Sequence, residues 1–283
     1  MRLIECMMRQ STCYNGTTTG TPVGILWHDT GAENDTLRRY VQPDDNATDR
    51  AELLALIGRN SFGNDWNHIR LDAGVNAFIG RLADGSIATV QTLPWDYRPW
   101  GCGSGVRGSC NGCAQVKNSP FWVQFEICDD GYRDKAYFEA VYREAVELTA
   151  ELCRRYGIDP MGTVRYNGAD VPTILCHADS HKLGLGSNHG DILGWFGRFG
   201  RTMQDVRRDV SAVLRGDGEE VDGMTRYNKI EEMPAWARAE IKELVDAGAL
   251  KGDEHGNLDL TEDMMRTLII NKRYAESVGC CKR

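Results

Sequence analysis

The sequence predicts an α/β protein, with a mixed central sheet flanked by helices and a small C-terminal helical-hairpin module. Over residues 1–213, short apolar runs typical of buried strands alternate with amphipathic helical stretches. Two of these runs flank a hairpin turn, so we expect a mixed rather than a wholly parallel sheet. A stretch rich in glycine and acidic residues, 214–224, reads as a linker. Only helical periodicity follows it, in residues 225–283.

The first predicted elements are a strand, a helix and a hairpin. PVGILW, residues 22–27, is a continuous apolar run typical of a strand buried on both faces. A helix is expected over 49–58, with its apolar residues on one side and Gly58 as its end. In AFIGRLADGSIATVQ, residues 77–91, Asp84-Gly85 separates two alternating apolar runs, which is a strong hairpin signal.

A second predicted strand, FWVQFEIC, carries polar residues on a mainly apolar run. It covers residues 121–128, and its alternation places Gln124 and Glu126 on the same face. A carboxylate on such a face is costly unless a metal-bound water or a hydrogen-bond donor compensates it. The alternative is a buried structural ion pair. Three further elements, two helices flanking a short strand, are expected at 134–155, 173–176 and 203–214.

The C-terminal region predicts two amphipathic helices joined by a turn. They cover residues 234–250 and 260–275, and Pro234 suits the first turn of its helix. A helical hairpin of this size buries little apolar surface alone. We therefore expect a docking or anchoring module rather than a catalytic one.

The composition excludes some classes of protein. The 283 residues carry 33 Lys and Arg against 41 Asp and Glu, a net charge of −8, which argues against nucleic-acid binding. No apolar run is long enough for a membrane span, and the N-terminal sequence lacks the apolar core of a signal peptide. The ten cysteines are expected to be mostly reduced, and the pair Cys110 and Cys113 to lie in a surface loop rather than form half of a zinc site.

Three of the six histidines lie at strand ends or in a glycine-rich loop. His28 follows GILW, His177 follows TILC, and His189 lies twelve residues further along, in SNHGD. If the two strands are neighbours, His28 and His177 lie side by side at one edge of the sheet. Three protein ligands and one open position are typical of catalytic zinc. The alternative is that each histidine is a hydrogen-bonded structural residue.

These motifs resemble the zinc-dependent N-acetylmuramoyl-L-alanine amidases of the type-2 amidase and peptidoglycan-recognition family, in particular phage or prophage endolysins. The resemblance rests on HDTG, residues 28–31, on the hairpin, on the strand with Glu126 and on CHADSHKLGLGSNHGD, residues 176–191. It covers about residues 11–213. The resemblance implies a catalytic domain at 1–213 that cleaves the amide between N-acetylmuramic acid and L-alanine with zinc-activated water.

The resemblance also implies a set of zinc ligands. His28 matches the first ligand and His177 the second. The family commonly has an aspartate or cysteine as the third, and the matching turn here reads SNHGD, residues 187–191. Because imidazole is a good zinc donor, we expect His189 to be the third ligand, with Asp191 as the alternative.

Catalytic residues follow from the same resemblance. Glu126 matches the glutamate that acts as general base and acid in several members. Some members have an assisting tyrosine on the hairpin strand or an assisting lysine two residues before the third ligand. Counted from His189, neither is preserved here, and Lys182 is the expected substitute, with His181 and His68 as alternatives.

The resemblance further implies peptidoglycan as the partner and a C-terminal module that targets the cell wall or forms a homodimer. The protein would stay in the host cytoplasm until it is released towards the wall by a holin-type route. Two other functions stay open. One is a peptidoglycan-binding module without catalysis, and the other is a zinc hydrolase of a different amide.

Overall fold

A six-stranded mixed sheet flanked by helices forms the first part of the molecule, as the sequence predicted. The computed structural model describes residues 1–216, 227–253, 256–260 and 262–277. The chain divides into two compact units, Met1–Val221 and Asp222–Arg283. Most of the predicted linker, 214–224, lies outside the described residues, so the predicted domain boundaries stay predictions. None of the described helices is long and apolar enough to cross a membrane.

The first unit contains eight strands and six α-helices among its described residues. In chain order these are β1 Leu3–Glu5, α1 Thr12–Gly16, β2 Thr21–Asp29, α2 Arg50–Ile57, β3 Ala77–Arg81, β4 Ile87–Gln91, β5 Pro120–Ile127, α3 Lys135–Tyr156, β6 Thr163–Tyr166, β7 Ala169–Pro172, β8 Ile174–Cys176, α4 His177–Lys182, α5 Leu193–Arg198 and α6 Met203–Arg215. A 3-10 turn covers Leu37–Arg39.

The strand order of the main sheet is β1-β4-β3-β5-β2-β8, and β6 and β7 form a separate hairpin. β3 and β4 pair antiparallel around Asp84-Gly85, which confirms the predicted hairpin. The other pairs in the main sheet are parallel. In the β2–β8 pair, Trp27 lies opposite Cys176, so the residues that follow, His28 and His177, lie at the same end of neighbouring strands.

One face of the sheet packs against helices. Trp27 and Phe125 are fully buried there against Tyr142 of α3, and Val206 of α6 belongs to the same cluster. The other face carries two smaller apolar clusters. One contains Leu26, Trp122 and Leu175, and the other contains Phe78, Val90 and Cys128. The strand residues between these two clusters are polar, and the candidate site lies there.

Differences from the sequence prediction concern element ends and short elements. His28 lies inside β2, which continues to Asp29, and His177 is the first residue of α4 rather than the end of a strand. Short elements such as β1 and the β6–β7 hairpin carry too few residues for a clear period. The surface-loop interpretation of the cysteine pair is wrong for Cys110, which is fully buried in an apolar cluster, whereas Cys113 is half-buried.

The second unit has its own apolar core. Among its described residues, the α-helices are α7 Ala235–Asp246 and α8 Glu262–Ser277, which agree with the two predicted helices. Its core contains Met233, Ala237, Ile241, Leu260, Met265 and Ile269.

Candidate metal centre

Two imidazoles and one carboxylate converge at the carboxyl ends of β2 and β8. His28 Nδ1 lies 2.9 Å from Asp191 Oδ2 and 3.2 Å from His177 Nδ1. His177 Nδ1 lies 3.4 Å from the same Asp191 oxygen. In the part of the chain that the structure describes, these three residues form the one group of at least three His, Cys, Asp or Glu side chains with ligand atoms close enough to hold a metal ion.

Backbone structure positions each of the three residues. His28 is held in β2 between β5 and β8, and His177 opens α4 directly after β8. The Ala178 amide donates a hydrogen bond to the Asp191 carbonyl at 3.1 Å, which fixes Asp191 beside the first turn of α4. Both imidazoles are buried, whereas the Asp191 carboxylate is partly open to solvent. The group is therefore rigid on its histidine side and open on its carboxylate side.

The outer ring nitrogens bind polar groups that set the tautomers. The Gln124 amide donates to Asn111 Oδ1 at 2.8 Å, so its oxygen, 3.0 Å from His28 Nε2, accepts a hydrogen bond from that nitrogen. The Ser187 hydroxyl lies 3.1 Å from His177 Nε2, and its one proton has two other acceptors, the Cys102 carbonyl at 3.2 Å and His189 Nδ1 at 3.0 Å. When it donates to either of them, it accepts a hydrogen bond from His177 Nε2. Both rings then carry their proton on Nε2, and both Nδ1 lone pairs point inward.

This arrangement fits a bound cation. With protons on both Nε2 atoms, two nitrogen lone pairs and a carboxylate oxygen face one another. These three electron-rich atoms repel one another in that state, and a cation between them would relieve the repulsion. Two imidazoles and a carboxylate are a donor set that zinc accepts.

The pKa of Asp191 reflects the same closeness. Burial would raise the pKa of its carboxyl, but His177 and His28, which donate hydrogen bonds to it and attract its charge when their Nδ1 atoms carry protons, outweigh burial and hold this pKa well below its usual range. Asp191 is therefore ionised at neutral pH, as a metal ligand must be.

Glu126 adds a second carboxylate to this face. It lies opposite His28 in the parallel β2–β5 pair, so both side chains point to the same side of the sheet. Its side chain is buried, and its Oε2 atom has no hydrogen-bond partner among the described residues. Burial, and then the nearby charges of Asp191, Asp29 and Asp129, raise the pKa of Glu126 well above its usual value. A buried carboxylate oxygen without a donor in the described chain is free to bind a water molecule or a substrate group.

The structure places the other predicted site residues outside this group. His189, the expected third ligand, is exposed, and its Nδ1 lies 3.0 Å from Ser187 Oγ, while its ring centroid is 4.7 Å from that of His177. The geometry thus favours the alternative, Asp191, over a choice made on donor strength. The Lys182 side chain is 67% exposed and pairs with Asp179, and no contact of the described residues joins it to the three-residue group.

Sequence reasoning missed the polar residues that orient the imidazoles. Gln124 was noticed only as a residue on the same face as Glu126, and that shared face was the available signal for its role. Asn111 and Ser187 lie on loops that meet the site only in three dimensions, so no spacing along the chain could have indicated them.

These features define an α/β protein with a buried histidine–carboxylate group at the carboxyl ends of its parallel strands. The chain belongs to the Amidase_2 family of N-acetylmuramoyl-L-alanine amidases, whose sequence profile matches residues 18–190, more than half of the chain. Membership indicates N-acetylmuramoyl-L-alanine amidase activity, and peptidoglycan, the polymer that contains this bond, fits as the substrate. No curated protein matches the sequence significantly.

Several solved structures resemble the chain. The Staphylococcus aureus hydrolase AmiA in complex with its ligand is 21% identical, with 77% of this chain and 87% of that chain covered and a TM-score of 0.46. PlyL is 17% identical, with 73% and 96% covered and a TM-score of 0.39. A mutant endolysin from Bacillus subtilis is 13% identical, with 74% and 99% covered and a TM-score of 0.42.

Proposed function

We propose that this protein hydrolyses the amide between N-acetylmuramic acid and the L-alanine of the stem peptide, with zinc held by His28, His177 and Asp191. The observation that carries the proposal is the convergence of two Nδ1 atoms and one carboxylate oxygen beside the unpartnered Oε2 of Glu126. Zinc, when bound, supplies Lewis acidity that polarises an amide carbonyl and makes water a stronger acid.

Glu126 is the proton carrier in this proposal. Its Oε2 atom takes a proton from the attacking water and returns it to the amide nitrogen as the C–N bond breaks. Its high pKa suits the second half of this cycle, because a carboxyl group that is readily protonated is available to protonate the leaving nitrogen. The positive charge of a bound metal favours its ionised form and so suits the first half.

His189 has a separate role once Asp191 is taken as the third ligand. It then stands two residues before that ligand, the position of the assisting lysine in some members of the family. Its ring is exposed beside His177, so substrate can reach it. We propose that His189 donates a hydrogen bond to the carbonyl oxygen as negative charge develops there. The role predicted for Lys182 stays a prediction.

Digestion of purified Gram-positive peptidoglycan tests the proposal. Newly freed amino termini and reducing sugar ends are labelled after digestion with and without a chelator. We expect new N-terminal alanine without new reducing ends, and we expect the chelator and the substitution His177→Ala each to abolish it. Asp170→Asn, which changes an exposed carboxylate on the β6–β7 hairpin, is the matched control and should leave the products unchanged.

Other outcomes identify the alternatives. Stoichiometric zinc with binding to peptidoglycan but no new amino termini would indicate a binding module without catalysis. Zinc-dependent cleavage of a different amide, with peptidoglycan untouched, would indicate another hydrolase. Bound zinc is measured in His28→Ala, Asp191→Ala and His189→Ala. The comparison separates Asp191 from His189 as the third ligand, because only the substitution of a true ligand should lower the zinc content.

We further propose that the protein acts as a phage or prophage endolysin and that the second unit targets the cell wall or forms a dimer. Support for the second part is that this unit has its own core and so can serve as a separate module. Sedimentation of the full chain gives its oligomeric state. Pull-down of the full chain with cell walls, compared with a chain that ends at residue 216, measures the contribution of the second unit to wall binding.

A further inference from the structure

A cavity of about 440 Å³ lies beyond the end of β2, between residues 33–39 and 59–62. Three arginines line it, Arg38, Arg39 and Arg59, together with the exposed ring of Phe62. In a chain with a net charge of −8, three cations around one cavity are unexpected. None of the three belongs to the metal centre described above.

The cations of this cavity are not neutralised by its own acids. Glu33 pairs with Arg133, and Asp35 pairs with Arg81 at 2.6 Å, so both acidic side chains are occupied by arginines from outside the cavity. Among the described residues, no hydrogen bond or ion pair engages the guanidinium group of Arg38.

The guanidinium group of Arg59 is likewise without a partner in the described part of the chain. Arg39 donates to the Asn64 carbonyl at 2.6 Å and lies over the ring of Tyr40 at 5.3 Å, contacts that fix its position without an anionic partner. A partner for these charges must therefore come from another molecule or from solvent.

Side-chain hydrogen bonds order the wall of the cavity. The buried Gln42 side chain donates to the Gly58 carbonyl at 2.8 Å and accepts from the Asn60 amide at 3.1 Å. Asn60 in turn donates to Asn64 Oδ1 and accepts from the Phe62 amide at 2.9 Å. These bonds hold the second segment in one conformation beside the first, so a ligand would meet a preorganised surface.

The chain that joins the metal centre to the cavity is short. Glu33 follows His28 by five residues, a distance of at most about 18 Å even for a fully extended chain. The connecting loop is held by Asp129, whose carboxylate accepts from the Ala32 amide at 2.9 Å and from the Glu33 amide at 3.2 Å. A stem peptide of about five residues has a similar length when extended, so one end can lie at the metal centre while its carboxylates reach the cavity.

We propose that this cavity binds a free carboxylate of the stem peptide, with Arg38 and Arg59 as the groups that recognise it. The proposal rests on the proposed amidase function and names the part of the substrate that is recognised. Guanidinium groups pair with carboxylates through two parallel hydrogen bonds. The ring of Phe62, 85% exposed, offers apolar surface for the peptide's methyl groups.

The first test is a titration that does not depend on catalysis. The full chain, loaded with zinc, is titrated with a synthetic L-alanyl stem peptide that has free carboxyl groups and with its carboxamide twin. We expect the double variant Arg38→Gln, Arg59→Gln to bind the free-acid peptide on the order of tenfold more weakly than the unsubstituted protein does. Its affinity for the carboxamide peptide should be unchanged. Arg165→Gln, an exposed arginine on the β6–β7 hairpin, is the matched control.

A second measurement connects the cavity to turnover. On a muramoyl peptide with free carboxyl groups, the double variant should raise KM by about the same factor and leave kcat unchanged. The double variant Arg38→Lys, Arg59→Lys should bind the acid more tightly than the glutamine variant does but more weakly than the unsubstituted protein. Lysine keeps the positive charge but lacks the two parallel N–H donors of the guanidinium group. A normal melting temperature excludes unfolding as the cause.

The inference is overturned by equal binding of acid and carboxamide by the unsubstituted protein, or by unchanged affinity of the double variant for the acid. Loss of binding to a glycerol-phosphate polymer instead of the peptide would also overturn it and would assign the cavity to that polymer. If the unsubstituted protein cleaves no muramoyl peptide, the proposed function fails, and the titration still decides what the cavity binds.

Discussion

The inward orientation of the two imidazole lone pairs depends on what binds the opposite ring nitrogens. His28 is oriented by Gln124, and Gln124 is oriented by Asn111. Such outer contacts fix the tautomer and the ring angle, and their loss commonly weakens metal binding without removing a ligand. Substitution of a residue that orients an imidazole should therefore weaken metal binding even though the imidazole itself is kept.

Gln124→Leu is expected to lower zinc affinity by about 10- to 100-fold, because His28 loses the acceptor that holds its Nε2 proton. Competition with a chromophoric chelator measures this affinity directly. Gln115→Leu, at an exposed position outside the site, is the matched control. Unaltered zinc affinity in Gln124→Leu would mean that the backbone alone positions the ring.

Glu126→Gln should lower kcat by about 10²- to 10⁴-fold, because an amide cannot carry a proton from water to the leaving nitrogen. Zinc content should stay at the level of the unsubstituted protein, since Glu126 is not among the three converging residues. The variant should also fold normally, because it removes a buried carboxylate that lacks a partner. Parallel measurements of cleavage rate and bound zinc check both statements, and loss of zinc would instead make Glu126 a ligand.

Sequence reasoning reached part of the site. The positions of His28 and His177 at the ends of apolar runs placed them together correctly, because parallel neighbouring strands end at one edge of a sheet. The third member required knowledge of how the loop after α4 folds. Donor strength favoured the His189 imidazole over an asparagine carboxamide and left Asp191 as the alternative, but the hydrogen bond between Ala178 and the Asp191 carbonyl holds the aspartate beside α4.

At the scale of single elements, α3 shows how local chemistry fixes a boundary. Its cap, Asp134, accepts hydrogen bonds from the amides of Ala136 and Tyr137, and its last turn ends at Gly157 in a left-handed conformation with φ of 64°. The buried side of this helix packs on the sheet beneath the face that carries the site. Damage to its ends should therefore affect stability rather than chemistry.

Asp134→Ala is expected to cost about 1 kcal/mol of unfolding free energy, because two amides of the first turn lose their acceptor. Asp134→Asn should lose much less, since asparagine also caps helices. Urea unfolding of the two variants gives the difference. Their zinc affinity should equal that of the unsubstituted protein, and a change there would show that α3 transmits strain to the site.

Long elements with a clear period were predictable, and short ones were not. The 22 residues of α3 and the hairpin around Asp84-Gly85 carry enough pattern to be identified from the sequence. β8 has three residues, and its assignment depended on the apolar run TILC. Each strand of the β6–β7 hairpin has only four residues, too few for its alternation to stand out from the surrounding sequence.

The two units have separate cores, so zinc should raise the melting temperature of the unit that binds it and leave that of the other unchanged. Zinc at 1,000 times its Kd would stabilise the unit that binds it by about 4 kcal/mol. A calorimetric scan with and without a chelator should therefore move the melting transition of Met1–Val221 and leave that of Asp222–Arg283 in place. A shift of both transitions together would contradict independent units.

The position of β2 between β5 and β8 has a kinetic consequence for the metal. A strand bonded on both sides opens only when most of the domain opens, whereas irregular chain opens on its own. His28 belongs to such a strand, and Asp191 lies in the irregular segment between α4 and α5. If a metal ion is bound, the Asp191 carboxylate is therefore expected to dissociate from it before the imidazoles do. Metal exchange would then proceed through an intermediate held by two histidines, at a rate far above that of global unfolding.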